Sequence, residues 1–159
     1  MTQLRTRLLL AAIGVFCFAL LAYAYYLQYG PQLQQPCPLC ILQRYAYFAV
    51  GVVALVGAAI PTGAIIFSAA AVATGGAGLA LWQVLKGSEM TSCLRDPVGI
   101  FVNGLPMADW WPEYLFANGG CADKFFTLGL PVPVWSLACF AGLLAVLFYV
   151  GVNTGKRQK

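Results

Sequence analysis

Apolar and polar residues in this 159-residue chain fall into blocks rather than alternating. Four long apolar runs stand out, at about residues 8–27, 41–60, 64–85 and 132–150. Each is close to the roughly 20 residues a helix needs to cross the hydrocarbon of a bilayer. Pro61-Thr62-Gly63, between the second and third runs, leaves room only for a tight helix–helix turn. Residues 28–40 contain Gln and Pro but no charge, and residues 86–131 form the one long polar stretch. The pattern predicts an all-α membrane protein. It is a single four-span domain over 1–159, a four-helix transmembrane bundle with a short first and a long second outer loop. Ala22-Tyr23-Ala24 has the form of a signal-peptide cleavage site, but the apolar run continues past it to Leu27, which favours a span.

Composition sharpens this. The chain is 61% hydrophobic and 9% charged, against about 25% charged residues in soluble domains; its mean hydropathy is +0.79. The net charge of +4 is not a nucleic-acid signal, because of where the charges lie. Arg5 and Arg7 precede the first run, and Lys156, Arg157 and Lys159 end the chain. All five acids, Glu89, Asp96, Asp109, Glu113 and Asp123, lie in the long polar stretch. Basic segments stay on the cytoplasmic side, so both termini are expected there and both loops outside. Small residues recur in the middle runs, as Gly51, Ala54 and Ala58 and then Ala71, Gly75 and Gly78. They would let the helices approach closely in lipid.

Aromatic residues crowd the expected outer side: Trp82, Trp110, Trp111 and Trp135, with Tyr23, Tyr25, Tyr26, Tyr29, Tyr45, Tyr47 and Tyr114. An interfacial belt explains such residues, although a belt belongs at both faces, which leaves some of them to line a flat ring ligand. Within Met107–Phe116, aromatics mix with Asp109 and Glu113, as in a short helix lying in the interface plane, with Pro112 limiting its regularity.

The absence of histidine removes His metal sites, Ser-His or Cys-His catalysis and His proton relays. What remains is sulfur. Cys37-Pro38-Leu39-Cys40 stands just before the second run, while Cys93 and Cys121 lie in the long loop. A C-x-x-C serves both zinc sites and redox pairs; zinc would have to recruit Cys93 and Cys121. The redox reading has a physical basis. Cys40 falls at the amino end of a helix, where the dipole and free amides favour a thiolate, and Pro36 and Pro38 suit a helix start. Arg44, four residues on, shares that helical face one turn deeper. A fixed charge there is costly in lipid. Arg44 is either snorkelling to the surface or holding a thiolate and a carbonyl-bearing cofactor. Cys93 and Cys121 could equally close a structural disulfide in an oxidising compartment, although Gly119-Gly120 points to mobile backbone beside Cys121. Cys17 and Cys139 lie within spans and read as small hydrophobes.

Three stretches carry a family resemblance: Cys37-Pro38-Leu39-Cys40-Ile41-Leu42-Gln43-Arg44, Gly120-Cys121-Ala122, and Leu128-Gly129-Leu130 with Pro133 and Trp135. With this order of spans and loops, the chain resembles the DsbB family of bacterial inner-membrane disulfide bond formation proteins. The region around Cys93 matches by position alone. The resemblance implies reoxidation of a periplasmic thioredoxin-fold dithiol oxidase, DsbA-like, with electrons passed to a membrane quinone, either ubiquinone or menaquinone. By the same resemblance, the partner's thiolate attacks Cys93. Cys121 then leaves and attacks Cys37, Cys40 is released beside the quinone, and Arg44 belongs to the quinone site. Two other four-span families fit less well. Vitamin-K-epoxide-reductase-like enzymes place their C-x-x-C late in the chain, and tetraspanin-like organisers carry Cys-Cys-Gly in the larger loop, which is absent here.

Overall fold

The computed structural model describes residues 2–30, 35–86, 97–119, 126–127 and 129–155. Among the described residues four helices are long and apolar enough to cross a membrane: α1 (Gln3–Tyr29), α2 (Pro38–Ala59), α3 (Gly63–Lys86) and, last of them, α7 (Val132–Gly155). Among the described residues between α3 and α7 are three short helices, α4 (Pro97–Asn103), α5 (Pro106–Trp110) and α6 (Pro112–Leu115), and a two-stranded antiparallel pair, β1 (Phe126–Thr127) with β2 (Leu130–Pro131).

The long helices run up and down. Gly14 of α1 lies against Gly51 and Leu55 of α2, Gly57 of α2 against Ile65 of α3, and Gly76 of α3 against Phe140 of α7. Helix α2 packs along both α1 and α3, α3 packs along α7, and α7 meets α1 only slightly. Local signals set the ends. Thr2 caps α1 by accepting from Arg5 N at 3.4 Å. Pro38 starts α2, and Thr62 Oγ1 accepts from Ile65 N at 3.4 Å in the first turn of α3. Many large apolar side chains, such as Phe67 and Phe148, face outward. A bundle whose solvent is lipid gains nothing by hiding them.

The small residues act as expected on α2, where Gly51 and Ala54 are buried. On α3 the contact face differs from the expected one. Ala69, Ala73, Gly76 and Ala80 are buried, whereas Ala71, Gly75 and Gly78 face outward, and a Cβ at Gly75 or Gly78 would meet nothing within 4 Å. The helix is so rich in Ala and Gly on every side that its sequence cannot select one face. Gly76 makes room for the Phe140 ring, which stacks on Tyr47 with centroids 4.1 Å apart and planes 10° apart. Tyr47 is therefore a core residue rather than part of a belt, with its hydroxyl 3.1 Å from Ser136 O and Oγ.

The outer segment is also more broken than expected. In place of one interfacial helix over Met107–Phe116 there are two, α5 and α6, separated at Trp111 (φ −139°, ψ 63°). A residue before proline is pushed out of helical geometry, so Pro112 ends one helix and begins the next. Trp110 is 86% exposed and Trp111 60%, as suits rings at a headgroup layer. Gly129 turns the β1–β2 connection with φ 81°, a region that favours glycine. Trp135 Nε1 donates to Thr127 O at 2.8 Å and ties this turn to α7.

A Cβ at residue 76 would lie 2.4 Å from Phe140 Cζ. Gly76→Val should lower stability by about 1–3 kcal/mol, as overpacking does, while Gly78→Ala should leave it nearly unchanged. Thermal unfolding of the two variants in detergent measures this, and equal midpoints would contradict the packing of α3 on α7.

Candidate thiol redox site

The C-x-x-C is part of the helix start itself. Cys37 is the N-cap of α2, with extended backbone (φ −81°, ψ 162°), and its sulfur accepts from Cys40 N at 3.3 Å. The two Sγ atoms are 3.0 Å apart, with Cys37 donating to Cys40. Cys37 is 3% exposed and packs with Leu39 against Cys40, Leu42, Leu79 and Val98. The pair therefore lies in an apolar setting at the amino end of a helix, where the dipole favours negative charge on sulfur.

Two residues that the sequence did not single out complete this setting. Gln83 of α3 donates from Nε2 to Cys37 Sγ and Cys40 Sγ, at 3.2 Å each. Gln43 of α2 donates from Nε2 to Gln83 Oε1 at 2.7 Å. The available signal was a lone amide inside each of two apolar runs, a placement that is costly in lipid unless partnered.

Arg44 lies one turn beyond Cys40 and is 8% exposed, so it is not snorkelling. Nor does it hydrogen-bond the sulfurs. Its Nη1 donates to Gln28 Oε1 at 2.8 Å and to Tyr114 O at 2.6 Å, and its guanidinium carbon lies 4.5 Å from the centre of the Tyr114 ring. Arg44 thus joins α1, α2 and α6. Tyr114 is fixed in turn by donating to Leu21 O at 2.7 Å. Burial raises the Tyr114 phenol above its ordinary value of 10.0 and Arg44 opposes the rise, so it stays a neutral donor at neutral pH. Gln28 Nε2 and Tyr29 Oη both donate to Glu113 O at 2.5 Å.

A second clip lies beside Cys37. Asn118 N and Gly119 N donate to Pro36 O at 3.2 and 3.0 Å. A Cβ at residue 119 would lie 2.3 Å from Gln35 O, so this glycine permits a close backbone approach, while Gly120 lies outside the described residues. Cys93 and Cys121 lie outside the described residues. Cys17 and Cys139 pack in or against the main core, away from the C-x-x-C cluster.

The family model for Disulfide bond formation protein DsbB matches residues 6–150. The chain belongs to the DsbB family. Relatives named Disulfide bond formation protein B agree with it at length. The protein of Nitrosomonas eutropha is 40% identical over 156 residues, covering 90% of this chain and 94% of the relative. That of Nitrosomonas europaea is 41% identical, covering 87% and 92%. That of Ralstonia nicotianae is 34% identical, covering 98% and 99%. Membership in the DsbB family and four apolar helices make this a multi-pass membrane protein of disulfide bond formation.

Removing the Tyr114 ring takes away both the surface under Arg44 and the bond to Leu21. Tyr114→Ala should cost about 1–3 kcal/mol, the sum expected of a partly desolvated cation–π contact and a hydrogen bond. Tyr114→Phe should lose only the smaller hydrogen-bond share. Unfolding midpoints in detergent give both values, and a Phe variant as unstable as the Ala variant would remove the cation–π contact from the account.

Proposed function

We propose that the protein reoxidises a periplasmic DsbA-like thioredoxin-fold oxidase through two cysteine pairs and passes the electrons to a membrane quinone, either ubiquinone or menaquinone. The observation that carries this reading is the Cys37–Cys40 pair at the amino end of a membrane-crossing helix with a buried arginine one turn below. Family membership supports the thiol chemistry. The charge pattern supports an inner-membrane protein with both termini cytoplasmic and the cysteine pairs periplasmic. Arg5, the Pro61–Thr62 turn and the end of α7 lie at one end of the antiparallel bundle, with Cys37 and Cys40 at the other.

Each transfer exchanges one disulfide for another. The partner's thiolate attacks Cys93; a partner–Cys93 bond forms, the Cys93–Cys121 bond breaks, and Cys121 leaves with the electron pair. Cys121 attacks Cys37, and Cys40 leaves in the same way. The partner's second thiolate then displaces Cys93, and Cys93 displaces Cys37 from Cys121, restoring the Cys93–Cys121 bond. Two electrons and two protons have moved from the partner to Cys37 and Cys40. A quinone bound there would accept both. Oxidases of the partner's kind hold a potential of about −120 mV, so an acceptor at least as oxidising as a quinone is required to regenerate them.

Arg44 fits a carbonyl-bearing acceptor. Among the described residues only its Nη1 donates to protein. Nε and Nη2 remain as donors in a fixed planar fork, suited to an oxygen that gains negative charge on reduction. Cys40, one turn above, keeps the reacting sulfur on the same helix.

The central experiment follows quinone absorbance while purified protein in detergent is given a reduced DsbA-like oxidase. Turnover should consume one quinone per partner disulfide formed; thiol oxidation that does not depend on quinone would overturn the proposal. Arg44→Leu should raise the apparent quinone KM about tenfold to a hundredfold, the equivalent of a lost charged hydrogen bond. Arg44→Lys should keep part of the function, since charge remains without the fork.

The order of attack has its own test. Cys121→Ser removes the internal competitor, so in intact cells an exported partner should accumulate in a disulfide with Cys93. Trapping on Cys37 or Cys40 instead would reverse the relay, and trapping only by a partner retained in the cytoplasm would invert the orientation.

A further inference from the structure

Two buried glutamines support the sulfur pair, Gln43 at 5% exposure and Gln83 at 7%. Their mutual bond makes the two amides face in concert. Gln83 Oε1 is occupied by Gln43 Nε2 at 2.7 Å, which leaves Gln83 Nε2 directed at Cys37 Sγ and Cys40 Sγ at 3.2 Å each. Turning the Gln83 amide over alone would break the bond to Gln43, and turning it at all would set an oxygen against the sulfurs. In the observed arrangement the sulfurs meet N–H donors from Gln83 and from the Cys40 backbone.

Such donors do not treat the two oxidation states alike. A disulfide sulfur is a weak, neutral acceptor, whereas a thiolate forms charge-assisted bonds that are roughly twice as strong as neutral ones. The same N–H groups therefore stabilise the dithiol state more than the disulfide. Reduction of the pair breaks one S–S bond, takes up two electrons from the donating thiols, and leaves a form in which one sulfur carries a proton and the other the charge.

We propose that Gln83, held by Gln43, is a positioning residue that keeps the sulfur released from the Cys37–Cys40 disulfide at the amino end of α2 and makes this pair a stronger oxidant. The proposal rests on the redox reading of the pair given above. Gln83 touches the reacting sulfurs without exchanging atoms with them, and Gln43 acts only through Gln83.

The test uses full-length protein in detergent carrying Cys93→Ser and Cys121→Ser, equilibrated with graded ratios of reduced to oxidised dithiothreitol. Alkylation and peptide mass spectrometry then give the oxidised fraction of the Cys37–Cys40 pair. Gln83→Leu should shift the equilibrium constant about tenfold toward the disulfide, equal to a fall of about 30 mV for a two-electron couple. Gln83→Glu, which sets a carboxylate where the donors were, should shift it further in the same direction. Gln43→Leu, which frees the amide to turn, should give a smaller shift and carries the test if Gln83→Leu does not fold. Unchanged equilibria in the folded variants, or shifts toward the dithiol, would overturn the proposal. Neither quinone nor soluble partner takes part in this equilibrium, so failure of the proposed function would appear in quinone turnover and not here.

Discussion

A permanent charge has been placed one turn inside a helix that crosses lipid, and much of the outer end of this bundle is arranged around it. A guanidinium cannot shed its proton at any pH the protein meets, and hydrocarbon offers it no partners. Burying Arg44 therefore requires oxygens and a ring face from elsewhere in the chain. Gln28 comes from the last turns of α1, and the Tyr114 carbonyl and ring come from α6. Meeting that demand joins three elements that are far apart in sequence. It also fixes where the outer segment sits over the helices, since Tyr114 and Glu113 bond back onto α1.

The same economy governs the thiols. In lipid-crossing helices a buried polar side chain is costly unless partnered, and around the thiols the partners run as a chain of contacts rather than separate pairs. The backbone amide of Cys40 meets Cys37, Gln83 meets both sulfurs, and Gln43 meets Gln83. Gln43 and Arg44 are neighbours on α2, yet one turns to α3 and the sulfurs while the other turns to α1 and α6. Helix α2 is thus the shared wall between a sulfur compartment and a cationic one.

Sequence reading reached the parts of this that depend on local pattern. Four apolar blocks announce four long helices, because length and hydropathy are sufficient for that. Cys37-Pro38-Leu39-Cys40 announces a helix start with two sulfurs on it, because proline and an N-cap act within a few residues. Arg44 stands out because charge in an apolar block is rare. What the sequence did not disclose depends on which face meets which. Gln43 and Gln83 are 40 positions apart and pair only once α2 and α3 lie antiparallel. The contact face of α3 was misplaced because Ala and Gly occupy all sides of that helix. Trp111 ends a helix through its neighbour Pro112, an effect foreseen as irregularity but not as two separate helices. Gly119 shows the same limit. Glycine serves motion and close approach alike, and the close approach shows only once the Gln35 carbonyl is placed beside it.

That clip at Gly119 bears on how fast one cysteine pair would find the other in the proposed relay. Two backbone bonds anchor the chain at Asn118 and Gly119 to Pro36, the residue before Cys37. Only Gly120 separates the anchored residue from Cys121, and two residues of chain reach at most about 7 Å. In the proposed relay, an attack of Cys121 on Cys37 would be closer to a unimolecular closure than to a search through a long loop. Short tethers give effective concentrations in the millimolar range or above. Nearness of this kind lets a relay run quickly without either sulfur being unusually reactive.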